Sequence, residues 1–154
     1  MDFGIRVAAV VERDGSILLV RHQKPDRDPY LVLPGGRLEP GETIPECAER
    51  ERAEEAQLEV RFVEVLYVSE FMRDGRHTVD ITVRGVADPK EEAKLGEDPE
   101  AAEDSEPTLR EVRWVDIGKL GEIELLPTRL QSRISEDAIR GWPATDIYLK
   151  GDRD

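Results

Sequence analysis

The densest group of chemically active side chains is a run of glutamates that follows a loop rich in glycine and proline. Between Leu33 and Leu58 the sequence reads LPGGRLEPGETIPECAERERAEEAQL. Glu51, Glu54 and Glu55 are spaced i, i+3 and i+4, so on a helix their carboxylates share one face. Like charges at this spacing repel each other, and a cation held among them would remove the repulsion. Hard oxygen ligands suit Mg²⁺ or Mn²⁺, which makes this run a candidate metal site.

A loop and a helix must position these glutamates. Five of the eight residues from 34 to 41 are Pro or Gly, which predicts a loop that is interior to neither a helix nor a strand. Thr43 and Glu46 have the spacing of a capping box, and Pro45 falls in the first turn, where its missing N–H costs little. The sequence therefore predicts a helix from Thr43 to about Ala56.

Two arginines lie among the glutamates of this helix. Arg50 and Arg52 are expected to relieve the repulsion only partly, because residues one or two positions apart on a helix do not face each other. A solvated acidic helix after a loop is the simplest alternative interpretation, but it leaves the glycine and arginine positions as coincidences.

The stretch resembles the Nudix box, a motif written G-x5-E-x7-R-E-U-x-E-E-x-G-U in which U is apolar. The matching positions in this chain are Gly36, Glu42, Arg50, Glu51, Glu54, Glu55 and Leu58. Two positions depart from the pattern, since Arg52 stands where an apolar residue is expected and Gln57 where glycine is expected. Neither departure removes a metal ligand, so the resemblance predicts a Nudix protein with its metal chemistry intact.

The resemblance implies hydrolysis of a nucleoside diphosphate linked to another group, by attack of water on the pyrophosphate. ADP-ribose or a related nucleotide sugar is the favoured substrate. The alternatives are a nucleoside triphosphate pyrophosphohydrolase and a non-catalytic Nudix domain that senses a nucleotide. The implied cofactor is Mg²⁺ or Mn²⁺, and its implied ligands are Glu51, Glu54, Glu55 and the carbonyl of Gly35.

The implied catalytic residues are Arg50, Glu51 and Glu54. Arg50 is expected to orient a glutamate through charge-assisted hydrogen bonds, and Glu51 or Glu54 is expected near the attacking water. In some relatives the general base is instead a glutamate in a loop outside the motif, which leaves Glu106 as the alternative here. Gly36 would let the backbone approach the phosphates, and Glu42 would hold the loop.

Two arginines and three aromatic residues outside the metal site are candidates for further substrate contacts. Arg37, beside the motif glycine, and Arg21 are candidate ligands for a phosphate, although a solvated loop is the simpler interpretation for Arg21 and its neighbours. Tyr30, Phe71 and Trp114 could stack on a base, although packing in the core or at an edge is the simpler interpretation for each.

The rest of the chain intersperses strands with helices, which predicts an α/β or α+β protein with a mixed sheet. Segments rich in β-branched residues predict strands at 5–12, 17–21, 30–33, 59–71, 77–87, 109–115 and 147–149, of which 59–71 is one strand or two. Asp-Gly pairs at 14–15 and 74–75 predict hairpin turns.

A second long helix is predicted from Leu125 to Arg140 and is ended by Gly141. Its predicted core face consists of Leu126, Leu130, Ile134 and Ala138, which are spaced by four. The first helix would bury Ile44 and Ala48. The Nudix resemblance sharpens the fold class to α/β, with two helical layers around a mixed β-sheet in an α/β/α sandwich.

Length and composition limit what else the chain can do. With 154 residues it is expected to form a single domain, 1–154, that includes a mobile acidic loop at 88–107. A net charge of −13 disfavours binding to nucleic acid or to an anionic membrane, and no apolar run is long enough to span a bilayer. The single cysteine, Cys47, excludes an internal disulfide and is expected to be a buried small hydrophobe. These features fit a cytoplasmic protein with a small-molecule nucleotide substrate, and a homodimer is left open.

Overall fold

The computed structural model describes residues 1–23, 25, 28–56, 59–88, 109–143 and 145–153. Its strands are β1 (Asp2–Arg13), β2 (Ser16–Gln23), β3 (Tyr30–Val32), β4 (Gly35–Arg37), β5 (Val60–Arg73), β6 (Arg76–Ala87), β7 (Leu109–Asp116), β8 (Leu125–Leu126) and β9 (Tyr148–Arg153). Its helices are α1 (Ile44–Ala56), α2 (Thr128–Ile139) and a short 3₁₀ helix at Ile117–Glu122. Within these residues, no helix combines the length and the apolar character needed to cross a membrane.

The described strands join one mixed sheet in the order β8-β3-β2-β1-β6-β5-β9, while β4 pairs with β1 and β7 pairs with β2 outside that path. Three pairs are parallel, namely β1 with β6, β3 with β8 and β5 with β9. Both predicted Asp-Gly hairpins are present, because Asp14, Gly15, Asp74 and Gly75 all have φ between 48° and 77°. This left-handed backbone is what a two-residue turn between antiparallel strands requires.

The two helices cover opposite faces of the sheet. Val7 and Cys47 belong to the hydrophobic cluster beneath α1, whereas Val10, Leu130 and Ile134 belong to the cluster beneath α2. Because successive residues of a strand point to opposite faces, β1 contributes side chains to both clusters. The predicted core positions Leu130 and Ile134 are confirmed as buried.

Helix α2 begins later than the predicted start at Leu125. Leu125 and Leu126 form β8 instead, and the helix starts at Thr128. Pro127 explains the difference, because the residue before a proline is pushed out of the helical region, whereas a proline is tolerated where a helix begins. The helix ends at Ile139, one residue before the predicted end, and Gly141 follows the capping residue Arg140 with φ of +75°, which confirms its predicted role.

The segment predicted as one strand or two is the single strand β5. Its pairing with β6 shifts register twice, between Phe62 and Glu64 and between Val65 and Tyr67. Such bulges interrupt the alternation of side chains between the two faces, which accounts for the loose hydrophobic pattern of this segment.

Several predictions concern residues outside the described ranges. Gln57, Leu58 and the acidic loop beyond Asp88, with Glu106 in it, belong to this group. The side chains of Arg52, Glu54 and Glu55 are also outside the described part of the chain, although the backbone of α1 includes their positions.

Candidate functional site

The glycine pair of the motif forms a strand, although the Gly and Pro content of this segment predicts a loop. Gly35–Arg37 pairs antiparallel with β1, with Val7 opposite Gly36 and Ala8 opposite Gly35. A Cβ atom on Gly35 would lie 2.5 Å from the carbonyl oxygen of Val7 and 2.8 Å from the Cα of Ala8. The two strands therefore approach closely here because Gly35 has no side chain, a use of glycine that local propensity does not reveal.

Helix α1 begins with the predicted capping box. The N–H of Thr43 donates to Oε2 of Glu46 at 3.0 Å, and the N–H of Glu46 donates to Oγ1 of Thr43 at 3.3 Å. Ile44 and Ala48 pack against the hydrophobic cluster beneath α1, which confirms the predicted core face. The cap and this apolar contact fix the direction in which the glutamates of the helix project.

Arg50 connects α1 to the preceding loop and to β4. Its Nε and Nη2 donate to the two carboxylate oxygens of Glu42 at 2.7 and 3.1 Å, and its Nη2 also donates to the carbonyl of Arg37 at 3.0 Å. Its Nη1 donates to Oε1 of Glu51 at 2.6 Å. The expectation that Arg50 and Glu51 do not face each other is therefore wrong. Both side chains extend from the helix toward β4, and the arginine side chain is long enough for its guanidinium to reach the carboxylate of Glu51 there.

Glu42 ties the loop to the helix, as the sequence predicts. Its Oε2 accepts a hydrogen bond from the N–H of Glu39 at 2.9 Å in addition to those from Arg50. The hydrogen bonds from Arg50 lower the pKa of Glu42 to about 2. Glu42 is therefore ionised at neutral pH and forms a bidentate, charge-assisted pair with Arg50.

Glu51 lies directly beneath Gly36. Only 4% of Glu51 is exposed, and a Cβ atom on Gly36 would lie 2.2 Å from the carboxyl carbon of Glu51. A carboxylate buried to this degree needs a charged or hydrogen-bonding partner, which Arg50 supplies. Glycine at position 36 thus lets the backbone of β4 rest on the carboxylate of Glu51.

Cys47 is a buried small side chain, as predicted. It is fully buried, and its Sγ lies 3.7 Å from the carbonyl oxygen of Arg37 and 3.7 Å from Nη2 of Arg50. Burial raises the pKa of Cys47 to about 12. The thiol is therefore protonated at neutral pH, which argues against a nucleophilic role.

The donor atoms around Gly36 suit a divalent cation. Among the residues whose side chains the structure describes, no three His, Cys, Asp or Glu side chains are grouped to hold a metal ion. Of the proposed ligands Glu51, Glu54 and Glu55, only Glu51 has a described side chain. The backbone of α1 places positions 51, 54 and 55 on one helix face, with the buried carboxylate of Glu51 against β4. Carboxylate and backbone carbonyl oxygens are the hard ligands that Mg²⁺ and Mn²⁺ prefer, so these residues fit such an ion.

The two arginines predicted to contact substrate lie in different places. Arg37 donates from Nη2 to Oδ1 of Asp2 and to the carbonyl of Phe3, both at 3.1 Å, and it lines a cavity beside β4. Arg21 lies on β2, where its Nη1 is 3.7 Å from Oε2 of Glu111, and it is not among the residues that line this cavity. The backbone carbonyl of Arg37 contacts Arg50, whereas its guanidinium lies at the cavity, and the contact recorded for Arg21 is with Glu111.

The residues predicted as candidates for base stacking contact other side chains. Tyr30 stacks on His22 with ring centroids 5.6 Å apart, and the guanidinium of Arg13 lies 4.1 Å from the ring centroid of Trp114. The guanidinium of Arg73 lies 5.8 Å from the ring centroid of Phe71. These contacts agree with the simpler interpretation, packing within the sheet.

Two arginines near the site are not identified by the sequence patterns. Arg6 and Arg76 line, together with Arg37, a cavity of about 250 Å³ beside β4. They are far apart in the chain and meet because β1 and β6 pair in parallel. Arg6 is a charged residue within the apolar segment that predicts β1, and this is the one local signal that could have identified it as a candidate site residue.

Comparison with known proteins agrees with this geometry. A family model described as the NUDIX domain matches residues 2–136. A NUDIX hydrolase from Nitrosomonas europaea superposes with a TM-score of 0.71 at 22% identity, covering 98% of this chain and 78% of that one. A MutT protein from Methanosarcina mazei Go1 gives 0.69 at 22% identity, covering 92% and 97%. A UDP-X diphosphatase gives 0.67 at 20% identity, covering 99% and 68%.

The mixed sheet between two helical layers defines a protein of the α/β/α sandwich class. Because the family model spans most of the chain, the protein belongs to the Nudix hydrolase family. Members of this family hydrolyse the pyrophosphate of nucleoside diphosphate derivatives and generally require divalent metal ions. At identities near 20%, the similar structures establish the fold, and they leave the substrate to be argued from the site.

Proposed function

We propose that this protein is a metal-dependent pyrophosphohydrolase that cleaves a nucleoside diphosphate linked to another group, with ADP-ribose or a related nucleotide sugar as the favoured substrate. One observation carries the proposal, namely the buried carboxylate of Glu51 held between Gly36 and Arg50. A carboxylate fixed against bare backbone and held by an arginine has a defined orientation for binding a cation, and a merely solvated acidic helix would not bury it.

Glu51, Glu54, Glu55 and the carbonyl of Gly35 are the proposed ligands of Mg²⁺ or Mn²⁺. When bound, the ion neutralises the charge of the pyrophosphate and lowers the pKa of a bound water. Three carboxylates on one helix face also repel one another in its absence.

The protein's own residues position this chemistry in a chain of contacts. Glu42 holds Arg50, and Arg50 orients Glu51 through a charge-assisted hydrogen bond of 2.6 Å. Gly36 lets the carboxylate of Glu51 lie against β4, and the proposed pyrophosphate site is beside this backbone. Glu51 or Glu54 is the proposed acceptor of the water's proton, with Glu106 as the alternative outside the motif.

A substrate panel tests this proposal. ADP-ribose, a UDP-sugar and several nucleoside triphosphates are incubated with Mg²⁺, with Mn²⁺ and with EDTA, and the nucleoside monophosphate formed is separated from unreacted substrate by ion-exchange chromatography and quantified. We expect hydrolysis of ADP-ribose or a nucleotide sugar to exceed that of triphosphates, and to stop in EDTA. A preference for triphosphates would favour the triphosphate pyrophosphohydrolase, and the absence of any turnover would favour a nucleotide-sensing domain.

The panel is repeated with substitutions at Glu51 and at a matched position. Glu51→Gln should lower kcat by at least about 10³, which corresponds to roughly 4 kcal/mol of transition-state stabilisation. Glu49→Gln, an exposed position on the same helix, should leave kcat within about twofold of the wild type. Equal losses in the two variants would show that the effect does not come from the site.

The position of the general base is tested in the same assay. Glu106→Gln should lower kcat by less than about tenfold, because a base must lie within hydrogen-bond reach of the water and the motif glutamates supply one. A loss of kcat as large as that of Glu51→Gln, with unchanged metal affinity, would assign the general base to the acidic loop.

A cytoplasmic location and a homodimeric state stay predictions.

A further inference from the structure

Beside the candidate active site lies a cavity of about 250 Å³ that is lined by three arginines, Arg6, Arg37 and Arg76. Strand register brings them together. Arg37 is opposite Arg6 in the β4–β1 pair, and Arg76 is opposite Asp2 in the β1–β6 pair. Because every second residue of a strand faces the same way, Asp2, Gly4 and Arg6 present one face of β1, and the arginines share that face.

The charges around this cavity do not cancel. Three lining side chains are positive and one, Asp2, is negative, in a chain whose net charge is −13. Arg37 pairs with Asp2 at 3.1 Å, whereas the contact between Arg6 and Asp80 is longer, at 3.9 Å. Like charges directly opposite each other in an antiparallel pair destabilise the sheet, and an anion between Arg6 and Arg37 would relieve this.

Arg37 is held in place before any ligand binds. A Cβ atom on Gly4 would lie 2.7 Å from Nη2 of Arg37, so the guanidinium rests over the bare backbone of Gly4. The same nitrogen donates to the carbonyl of Phe3 at 3.1 Å. A guanidinium fixed in this way loses less side-chain entropy when it binds an anion.

The cavity and the candidate active site meet at β4. Gly36 packs on Glu51 on one face of this strand, and the next residue, Arg37, lines the cavity on the other. Arg50 contacts the same strand, because its Nη2 donates to the backbone carbonyl of Arg37 at 3.0 Å. A substrate with its pyrophosphate at Glu51 would therefore reach the cavity by crossing one short strand.

We infer that this cavity binds a second anionic group of the substrate, a phosphate monoester that is separate from the hydrolysed pyrophosphate. The inference rests on the proposed function for the pyrophosphate end and adds that, within the proposed substrate class, a nucleotide with an extra phosphate monoester is preferred over the same nucleotide without it. Planar guanidinium groups match the geometry of phosphate oxygens. Three of them around one cavity select for such a group over a neutral sugar or base.

Anion binding is measured first, and without metal. Inorganic phosphate in EDTA should raise the melting temperature of the wild type by about 2 °C over chloride at the same ionic strength, through ligand linkage. Arg6→Gln and Arg76→Gln should lose this gain. Arg61→Gln is the matched control, because Arg61 is exposed on β5 opposite Val86, at the other end of β6 from Arg76.

Matched substrates that differ by one phosphate monoester are then compared, namely NADPH against NADH and coenzyme A against dephospho-coenzyme A. The phosphorylated member should have a kcat/KM at least about tenfold higher in the wild type and in Arg61→Gln. In Arg6→Gln and Arg76→Gln this ratio should fall to about one, with the loss confined to the phosphorylated member.

The outcomes separate this inference from the proposed function. Phosphate binding with equal kcat/KM values for both members of each pair would overturn the inference and leave free phosphate as the ligand. The absence of phosphate binding, or turnover only of substrates without the extra phosphate, would also overturn it. If no pyrophosphate is hydrolysed at all, the proposed function fails and the inference with it, whereas the phosphate titration still reports on the cavity alone.

Discussion

At the candidate active site, Gly36 and Arg50 act mainly by positioning the carboxylate of Glu51. Gly36 contributes no functional group, yet its missing Cβ leaves the space that the carboxylate of Glu51 occupies. Arg50 is held by Glu42, and it therefore presents one nitrogen to Glu51 in a fixed direction. The chemistry of Glu51 depends on these neighbours as much as on its own carboxylate.

Gly36→Ala tests this dependence. The added methyl group would meet the carboxyl carbon of Glu51 at 2.2 Å, so the carboxylate must move, and kcat should fall by at least about tenfold. Gly41→Ala is the control, because Gly41 has φ of +82° and no atom within 4 Å of an added Cβ. It should lower the free energy of unfolding by about 1 kcal/mol and leave kcat unchanged. Comparable kcat values for Gly36→Ala and the wild type would contradict this role for Gly36.

Glu42→Gln should remove a pH-dependent part of the stability. Because the pKa of Glu42 is lowered to about 2 from its usual 4.5, its ionised form stabilises the fold above pH 4.5, and this contribution is lost as the pH falls toward 2. Urea unfolding at neutral pH should show the variant about 2 kcal/mol less stable than the wild type. The difference should shrink steadily between pH 4.5 and 2. A difference that stays constant over this range would show that the Arg50 pair does not set the pKa.

At the scale of elements, a buried contact joins strand β5 to helix α2. The hydroxyl of Tyr67 donates to Oδ2 of Asp137 at 2.7 Å, and Nε of Arg133 donates to the same oxygen at 2.8 Å. Burial first, and then the hydrogen bond to Asp137, raise the pKa of Tyr67, so the phenol is protonated and can donate. This contact ties the second helical layer to the sheet.

Two Tyr→Phe substitutions measure what that contact contributes. Tyr67→Phe should lower the free energy of unfolding by about 1 to 2 kcal/mol, because it leaves a buried carboxylate one hydrogen bond short. Tyr148→Phe removes a bond of similar length, 2.9 Å to Glu70, but from a side chain that is 59% exposed. It should cost less than about 0.5 kcal/mol, since water replaces the partner. Equal costs in chemical denaturation would mean that burial does not strengthen the Tyr67 bond.

At the scale of the whole molecule, a strongly acidic chain must bind an anionic substrate. With a net charge of −13, nonspecific attraction of a nucleotide is disfavoured, so binding requires local positive charge. The proposed cation provides positive charge at the glutamates of α1, and the three arginines provide it around the cavity.

Metal binding should therefore be visible in the stability of the whole fold. Millimolar Mg²⁺ or Mn²⁺ should raise the melting temperature relative to EDTA, because the ion binds the folded state and removes the repulsion among the carboxylates. Glu54→Gln should lose this gain. Identical melting of the wild type in EDTA and in Mg²⁺, even with a substrate analogue present, would contradict the metal site.

Interactions between residues close in the chain could be read from the sequence. The capping box of Thr43 and Glu46, the hairpin turns at Asp14-Gly15 and Asp74-Gly75, and the end of α2 at Gly141 all appear where they are predicted. Each depends on backbone geometry and hydrogen bonds within a few residues. The spacing of Leu126 and Leu130 predicts a start of α2 that is too early, whereas Pro127, which is also a local signal, lies at the observed start.

Sequence alone thus determined the motif, the order of the longer strands and of the two main helices, and the family to which the chain belongs. Tertiary structure decided that Gly35–Arg37 is a strand, that Arg50 meets Glu51, and that Arg6, Arg37 and Arg76 surround one cavity. These features depend on which strands pair and in what register, and a shift of one residue would turn every side chain to the other face. That register is set by the packing of the whole sheet between its two helices, which no local pattern in the chain contains.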